Sequence, residues 1–447
     1  MVVSMPIDRQ SFLEKEGVLP RFLVIKALEA LWQGKEIDFT HSKGYKQLSQ
    51  EDKGFSKLLY LTVIRTSGQC DALIDSLVLK KIEKKNMMIR DILRLGIVQH
   101  HFLKTSSYAI VTTALHLIDH LNQKNFKPFV HAVLSKIIRN EHQFLIKETG
   151  VDKNFPEWMF KRWRNNYGLG KAQEIAFAFS RETPTDFTIK TDPDIWAEKL
   201  GGTIIPFNTI RSYRQSMIES LEGYHEGEWW IQDWSSSLPV KLLNPINGKK
   251  ALDLCAAPGG KTAQLIAYGL DVTAIDNSAH RLKRLHENLK RLKMQANIIQ
   301  EDAITWKSKD KFDYVLVDAP CSGTGTFRRH PERRFLRKEN DLDSLLEIQE
   351  KILLTGMKHL ANEGTLIYCT CSLEPEENTQ QIEKALAHYK TIERVPFTLE
   401  EVQGIKSILT PSGDIQVLPF ELSEFGGADG FFIARLKRKQ AISCNVE

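Results

Sequence analysis

Three cysteines stand where short apolar runs end: Cys321 follows "FDYVLVDAP", and Cys369 and Cys371 close "GTLIYCTC". A thiol in such a place offers four chemistries. It can attack as a nucleophile, pair with another thiol, hold half a metal site, or simply pack as a small hydrophobe. A Cys-x-Cys metal site needs two further ligands close by, and no histidine pair here has metal-ligand spacing. A disulfide between Cys369 and Cys371 would close a strained ring. Metal and redox roles are therefore set aside. Packing is the default for Cys369 and for Cys255, whereas Cys321 and Cys371 lie on one rim if their strands are neighbours.

A second group of residues follows other strand-like runs. "KKALDL" leads into "CAAPGGKT", whose small residues let backbone approach a ligand and whose glycines open a helix. This turn has neither the dinucleotide GxGxxG pattern nor the spacing of a phosphate loop. About 20 residues on, "DVTAID" ends in Asp276, placed to accept from both hydroxyls of a ribose. "NIIQED" ends in Asp302 and "FDYVLVD" in Asp318. Any one of these aspartates alone reads as a cap or a turn residue. Together with the glycine turn they outline an adenosine-shaped pocket without phosphate clamps. That favours S-adenosylmethionine over NAD or ATP.

Elements able to hold these residues are legible along the chain. The 447 residues suggest two or three domains, and 42% hydrophobic content suffices for large cores. A net charge of +5 tilts only slightly toward a polyanionic partner. Six sparse cysteines do not form a secreted disulfide framework, and no run of about 18 apolar residues predicts a membrane span. Up to residue 145, apolar residues recur at helical spacing, as in "PRFLVIKALEALWQG" and "KPFVHAVLSKIIRN", where Phe129, Val133, Leu134 and Ile137 form one stripe. Residues 146–245 mix helices with short strands. Their "EWMFKRWRNNY" reads equally as a base-stacking face and as an amphipathic helix with a tryptophan core. From 246 to 438 strands and helices alternate, which predicts a mainly parallel sheet covered on both faces, with "GFFIARLKR" closing its edge.

At this point the motifs become specific. "LDLCAAPGGKTAQL", "DAPCSGTGTFRRHPE" and "YCTCSLEPEENTQQI" resemble the signature motifs of RNA cytosine-carbon-5 methyltransferases. The helical N-terminal part resembles the RNA-binding fold of the NusB antitermination factor. Together they resemble the RsmB (Sun, Fmu) family, which methylates small-subunit ribosomal RNA. The resemblance implies a multidomain chain: an all-α NusB-like domain over residues 1–145, a small α+β linker over 146–245, and a Rossmann-like class I methyltransferase domain of α/β type over 246–438. It makes Cys371 the nucleophile that adds to carbon 6 of cytosine, and Cys321 the cysteine that helps release the product. It assigns cofactor contact to Cys255, Ala256, Ala257, Pro258, Gly259, Gly260 and Lys261, and to Asp276, Asp302 and Asp318. S-adenosylmethionine is the implied cofactor. The implied substrate is 16S rRNA, free or in an assembling small subunit, with position 967 as the target. A cytoplasmic monomer without metal or membrane partner is expected. The basic stretch "RRHPERRFLRK" after Cys321 is expected to touch phosphates. "QDWSS" departs from the family's "QDEAS", with Trp234 in the acid's place and Pro239 beyond it. Two other readings remain: a tRNA cytosine methyltransferase, and a non-catalytic RNA-binding assembly factor, against which the intact cysteines and aspartates stand.

Overall fold

The computed structural model describes residues 17–35, 38–140, 150–213 and 217–439. It divides into two compact units. The chain leaves the second unit after Arg329, contributes His330–Arg337 to the first, and returns at Lys338.

The first unit is helical: α1 (Val18–Trp32), α2 (Gln50–Leu77), α3 (Met87–His101), α4 (Ser107–His120), α5 (Lys127–Arg139), α6 (Glu157–Tyr167) and α7 (Leu169–Phe179). Ser49 caps α2 by accepting from the Asp52 amide at 3.0 Å, with Glu51 and Asp52 favourable in the first turn. On α5 the buried stripe is Val130, Val133, Leu134 and Ile137, so Val130 takes the inward place expected of Phe129, which is half-buried. Gly96 on α3 lets Leu134 of α5 come close, because a Cβ there would overlap it. Trp163 is wholly buried, its ring 5.0 Å from Phe155 and 5.6 Å from Phe179. The core reading of that helix wins for Trp163, while Lys161 and Arg164 remain exposed.

The second unit carries two sheets. β1 (Thr185–Ile189), β2 (Thr203–Ile205), β3 (Thr209–Ser212) and β4 (Trp229–Ile231) form an antiparallel sheet in the order β2-β3-β1-β4. Helices α8 (Pro193–Leu200) and α9 (Trp234–Leu243) accompany it. The larger sheet contains β5 (Lys250–Leu254), β6 (Asp271–Asp276), β7 (Asn297–Gln300), β8 (Phe312–Asp318) and β9 (Leu360–Thr370), all parallel. Between them run α10 (Gly260–Ala267), α11 (Ala279–Arg291) and α12 (Asp341–His359); α13 (Thr379–His388) follows β9. β10 (Ile392–Arg394), β11 (Ile415–Val417) and β12 (Phe431–Arg438) complete a sheet of order β10-β12-β9-β8-β5-β6-β7, with β11 also pairing with β12. β12 runs antiparallel to β9 but does not close the edge, because the three-residue β10 pairs with its outer side. Strand order reverses between β5 and β8, and open α/β sheets place ligands beyond the carboxyl ends at such a switch point.

Three arginines of the basic stretch after Cys321 turn inward. Arg328 is 1% exposed, and Arg329 pairs with Asp233 at 2.6 Å and Asp429 at 3.2 Å. Arg334 is 0% exposed, donates to the Ile64 carbonyl and lies over the Phe155 ring at 4.5 Å. Burial, reinforced by the charge of Arg65, pushes its guanidinium down to about 9. These three arginines fasten the fold instead of meeting phosphates, and a run of charges in sequence gives no sign of that inward turn.

Candidate active site

The loop after β5 begins with Cys255 in the left-handed region at φ 63°, a conformation that costs a side chain energy and is found where surrounding structure enforces it. The Ala256 amide donates to the Ile275 carbonyl at 3.0 Å, tying the loop to β6. Gly259, at φ 102°, turns the chain into α10. Lys261, in the first turn of α10, pairs with Asp318 at the end of β8 at 2.7 Å. Burial opposes the ammonium charge. Asp318, with Cys369 behind it, outweighs that and holds Lys261 above its ordinary range.

These residues form one wall of a cavity of about 440 Å³. Ala256, Pro258, Gly259, Gly260, Lys261 and Asp318 line it, facing Trp230, Ile231, Gln232 and Ser236, with Arg284 and Asn288 of α11 at the side. Its size suits a nucleoside-sized ligand. The nearest atoms a Cβ at Gly260 would meet belong to the Gln232 side chain, at 3.6 Å. The residues present therefore fit an adenosyl cofactor.

The three aspartates are not equivalent. Asp318 lines the cavity. Asp276 is 3% exposed and already accepts from the Ala257 amide at 3.2 Å and the Ser278 amide at 3.0 Å, with Arg281 3.4 Å away. Asp302 is exposed and caps its own turn through the Ile304 amide at 2.9 Å. Neither Asp276 nor Asp302 belongs to the cavity wall.

Asp253, inside β5, is fully buried and was not singled out from sequence. One carboxyl oxygen accepts from the Thr262 hydroxyl at 2.6 Å, and the other has no partner among the described residues. Burial first, then the charges of Asp318 and Asp276, pushes this carboxyl up to about 7. An acid whose folded value exceeds its unfolded value of about 3.9 contributes its stability in full below that value and loses it as pH rises toward 7. Asp253→Asn should therefore flatten the fall in Tm between about pH 4 and pH 7. An unchanged pH profile of Tm would contradict this.

The two rim cysteines meet. Cys321 and Cys371 are each half-buried, with their Sγ atoms 3.4 Å apart. Cys369, the residue before the end of β9, is buried, and its thiol donates to Asp318 Oδ1 at 3.6 Å. The hydrogen bond to Cys371, then burial, then the charges of Cys371 and Glu377 push the Cys321 thiol well up. The two loops are stitched together: Gly325 N donates to the Cys371 carbonyl at 3.0 Å, and Leu373 N to Thr324 Oγ1 at 2.9 Å.

"QDWSS" has a definite structural place. Asp233 caps α9, accepting from the Ser235 amide at 2.9 Å, and burial is outweighed by Arg329 and Arg328, which hold its carboxyl well below the usual range. Trp234 is wholly buried, and its indole donates to the Pro206 carbonyl at 2.9 Å. The bulky residue serves packing, and the cavity is reached instead by Gln232 and Ser236 on either side of it.

Known proteins are similar to this chain in sequence and fold. The model of the 16S rRNA methyltransferase RsmB/F matches residues 240–437, and that of the NusB family residues 20–139. Ribosomal RNA small subunit methyltransferase B of Cronobacter sakazakii is 31% identical over 443 residues, covering 95% of this chain and 100% of the relative. The chain belongs to the RsmB/F family. The methyltransferase B of Pasteurella multocida is likewise 31% identical, covering 95% of this chain and 98% of the relative. A methyltransferase homolog protein from Pyrococcus horikoshii is similar in structure, with 26% identity and a TM-score of 0.53 over 64% of this chain and 95% of that one. NSun6 from the same organism, solved with SFG, shares the fold at 19% identity, with a TM-score of 0.55 over 64% of this chain and 99% of that one. The enzyme is an S-adenosylmethionine-dependent 16S rRNA methyltransferase with a NusB helical domain ahead of its α/β domain. No helix among the described residues is long and apolar enough to cross a membrane.

Proposed function

We propose that the enzyme forms 5-methylcytosine in 16S rRNA, at position 967, through a covalent bond between Cys371 and the target base. The observation that carries this reading is the 3.4 Å approach of two thiols beside the cavity wall that contains Lys261 and Asp318. The substrate is the free RNA or the assembling small subunit, met by a monomer in the cytoplasm. Residues 1–145 and 146–245 serve as RNA-binding domains and 246–438 as the catalytic domain. The family's cofactor contacts fall on Cys255–Lys261, Asp276, Asp302 and Asp318; of these, Ala256, Pro258, Gly259, Gly260, Lys261 and Asp318 line the cavity and support the reading most directly.

Carbon 5 of cytosine is a poor nucleophile. The Cys371 thiolate adds to carbon 6, forming an S–C bond, and the displaced π pair makes carbon 5 electron-rich. Bound S-adenosylmethionine supplies the methyl group. Asp318 hydrogen-bonds the ring and steadies the adduct in this reading. Release requires carbon 5 to lose its proton. The pair from that C–H bond then restores the double bond, and Cys371 departs as thiolate. Cys321 takes the proton. Once Cys371 is bonded to carbon 6, its charge and thiol hydrogen bond no longer push Cys321 up, which favours proton transfer to Cys321 at that stage. The target base has to be unpaired or flipped out to reach the thiol.

Bisulfite sequencing of 16S rRNA from a strain lacking the gene tests the reading. Protection at position 967 should disappear and return with the wild-type gene. Protection that persists in 16S rRNA, or that is lost from a tRNA instead, would overturn it.

A further inference from the structure

One buried group is unused by the chemistry above. Glu377 lies six residues beyond Cys371, just before α13, and is 0% exposed. Its carboxylate gathers donors from three places. Oε1 accepts from the Ser322 amide at 2.8 Å and from Gln349 Nε2 of α12 at 2.9 Å. Oε2 accepts from the Ser322 hydroxyl at 2.5 Å and from the Ser372 hydroxyl. Ser322 follows Cys321 directly, and Ser372 follows Cys371 directly. Gln349 also donates to the carbonyl of Pro320, the residue before Cys321, at 2.9 Å. A single carboxylate thus touches the neighbour of each thiol. Removing it would leave several buried donors without an acceptor.

We infer that Glu377 is a positioning residue, whose carboxylate clamps the Cys321 loop to the Cys371 loop and keeps the two thiols in unequal roles. The inference rests on the reading of Cys371 as nucleophile. Two effects act together. The hydrogen bonds fix the spacing of the sulfurs, and covalent catalysis is sensitive to misplacement on the scale of 1 Å. The negative charge also disfavours a second negative charge on Cys321. In the resting enzyme the Glu377 carboxylate therefore favours the protonated form of Cys321.

Glu377→Gln tests this, since it keeps the shape but presents an amide where an acceptor is needed. The expected result is a fall in kcat of about 10- to 100-fold, with KM for RNA and cofactor within about threefold. Brief iodoacetamide labelling read by mass spectrometry should favour Cys371 in the wild type and label Cys321 comparably in the variant. Ser372→Ala, which removes one link of the clamp, should shift both readouts in the same direction should Glu377→Gln fail to fold. Wild-type kcat with an unchanged labelling ratio would overturn the inference. So would a loss of kcat with unchanged labelling and a matching loss of Tm, which is the signature of a merely structural acid. Cys371→Ser is run alongside: if it still methylates RNA, the nucleophile reading fails, whereas an inactive Cys371→Ser beside a normal Glu377→Gln condemns only the clamp.

Discussion

Cys371→Ala is expected to lower kcat by at least about 10³-fold, with little change in RNA or cofactor affinity. The reasoning is chemical. Without sulfur addition at carbon 6, carbon 5 stays unactivated, and no neighbouring side chain replaces that bond. Cys321, with its sulfur 3.4 Å from that of Cys371, cannot take over, because its loop is fixed through the Ser322 amide on Glu377. Cys369 cannot substitute either, being buried in β9 with its thiol on Asp318. Methylation assays under saturating and limiting RNA separate the two effects. A rise in KM with kcat intact would place Cys371 in binding and not in bond formation.

Cys321→Ala should have the opposite signature: addition and methylation proceed, release fails, and a protein–RNA complex stable to denaturing electrophoresis accumulates. Loss of a proton-transfer group costs about 10²- to 10⁴-fold in turnover, so multiple turnover should collapse while the first methylation event persists. The two variants are distinguished by where they stop, before the S–C bond or after it. A Cys321→Ala enzyme that turns over normally and leaves no complex would remove the release role.

The parallel sheet and its rim were legible because β5, β6 and β8 are apolar runs of five to seven residues that each meet a turn or an acid at the carboxyl end. β10 was not, because three residues carry no period, and its presence moved β12 from the edge to the interior. Trp163 could not be assigned from pattern, since a stacking platform and a helix core demand the same residue types at the same spacing. The inward turn of Arg328, Arg329 and Arg334 was not legible because sequence shows charge but not the Asp186, Asp233 and Asp429 carboxylates that pair with Arg329. Glu377 was not singled out from sequence. The available signal was only its place six residues beyond a candidate nucleophile, since the polar run around it reads as solvated. Asp276 and Asp302 stood out through strand-end position, which cannot tell the cavity-facing Asp318 from a carboxylate already satisfied by backbone amides.

The most direct test of the covalent account uses RNA carrying 5-fluorocytosine at the target position. Fluorine at carbon 5 cannot leave as a proton, so the step that frees Cys371 is blocked after methylation. The account predicts a complex of one protein and one RNA, dependent on S-adenosylmethionine, whose digest places the base on the peptide containing Cys371. Methylated fluorocytosine released without any complex, or a base attached through Cys321, would contradict it.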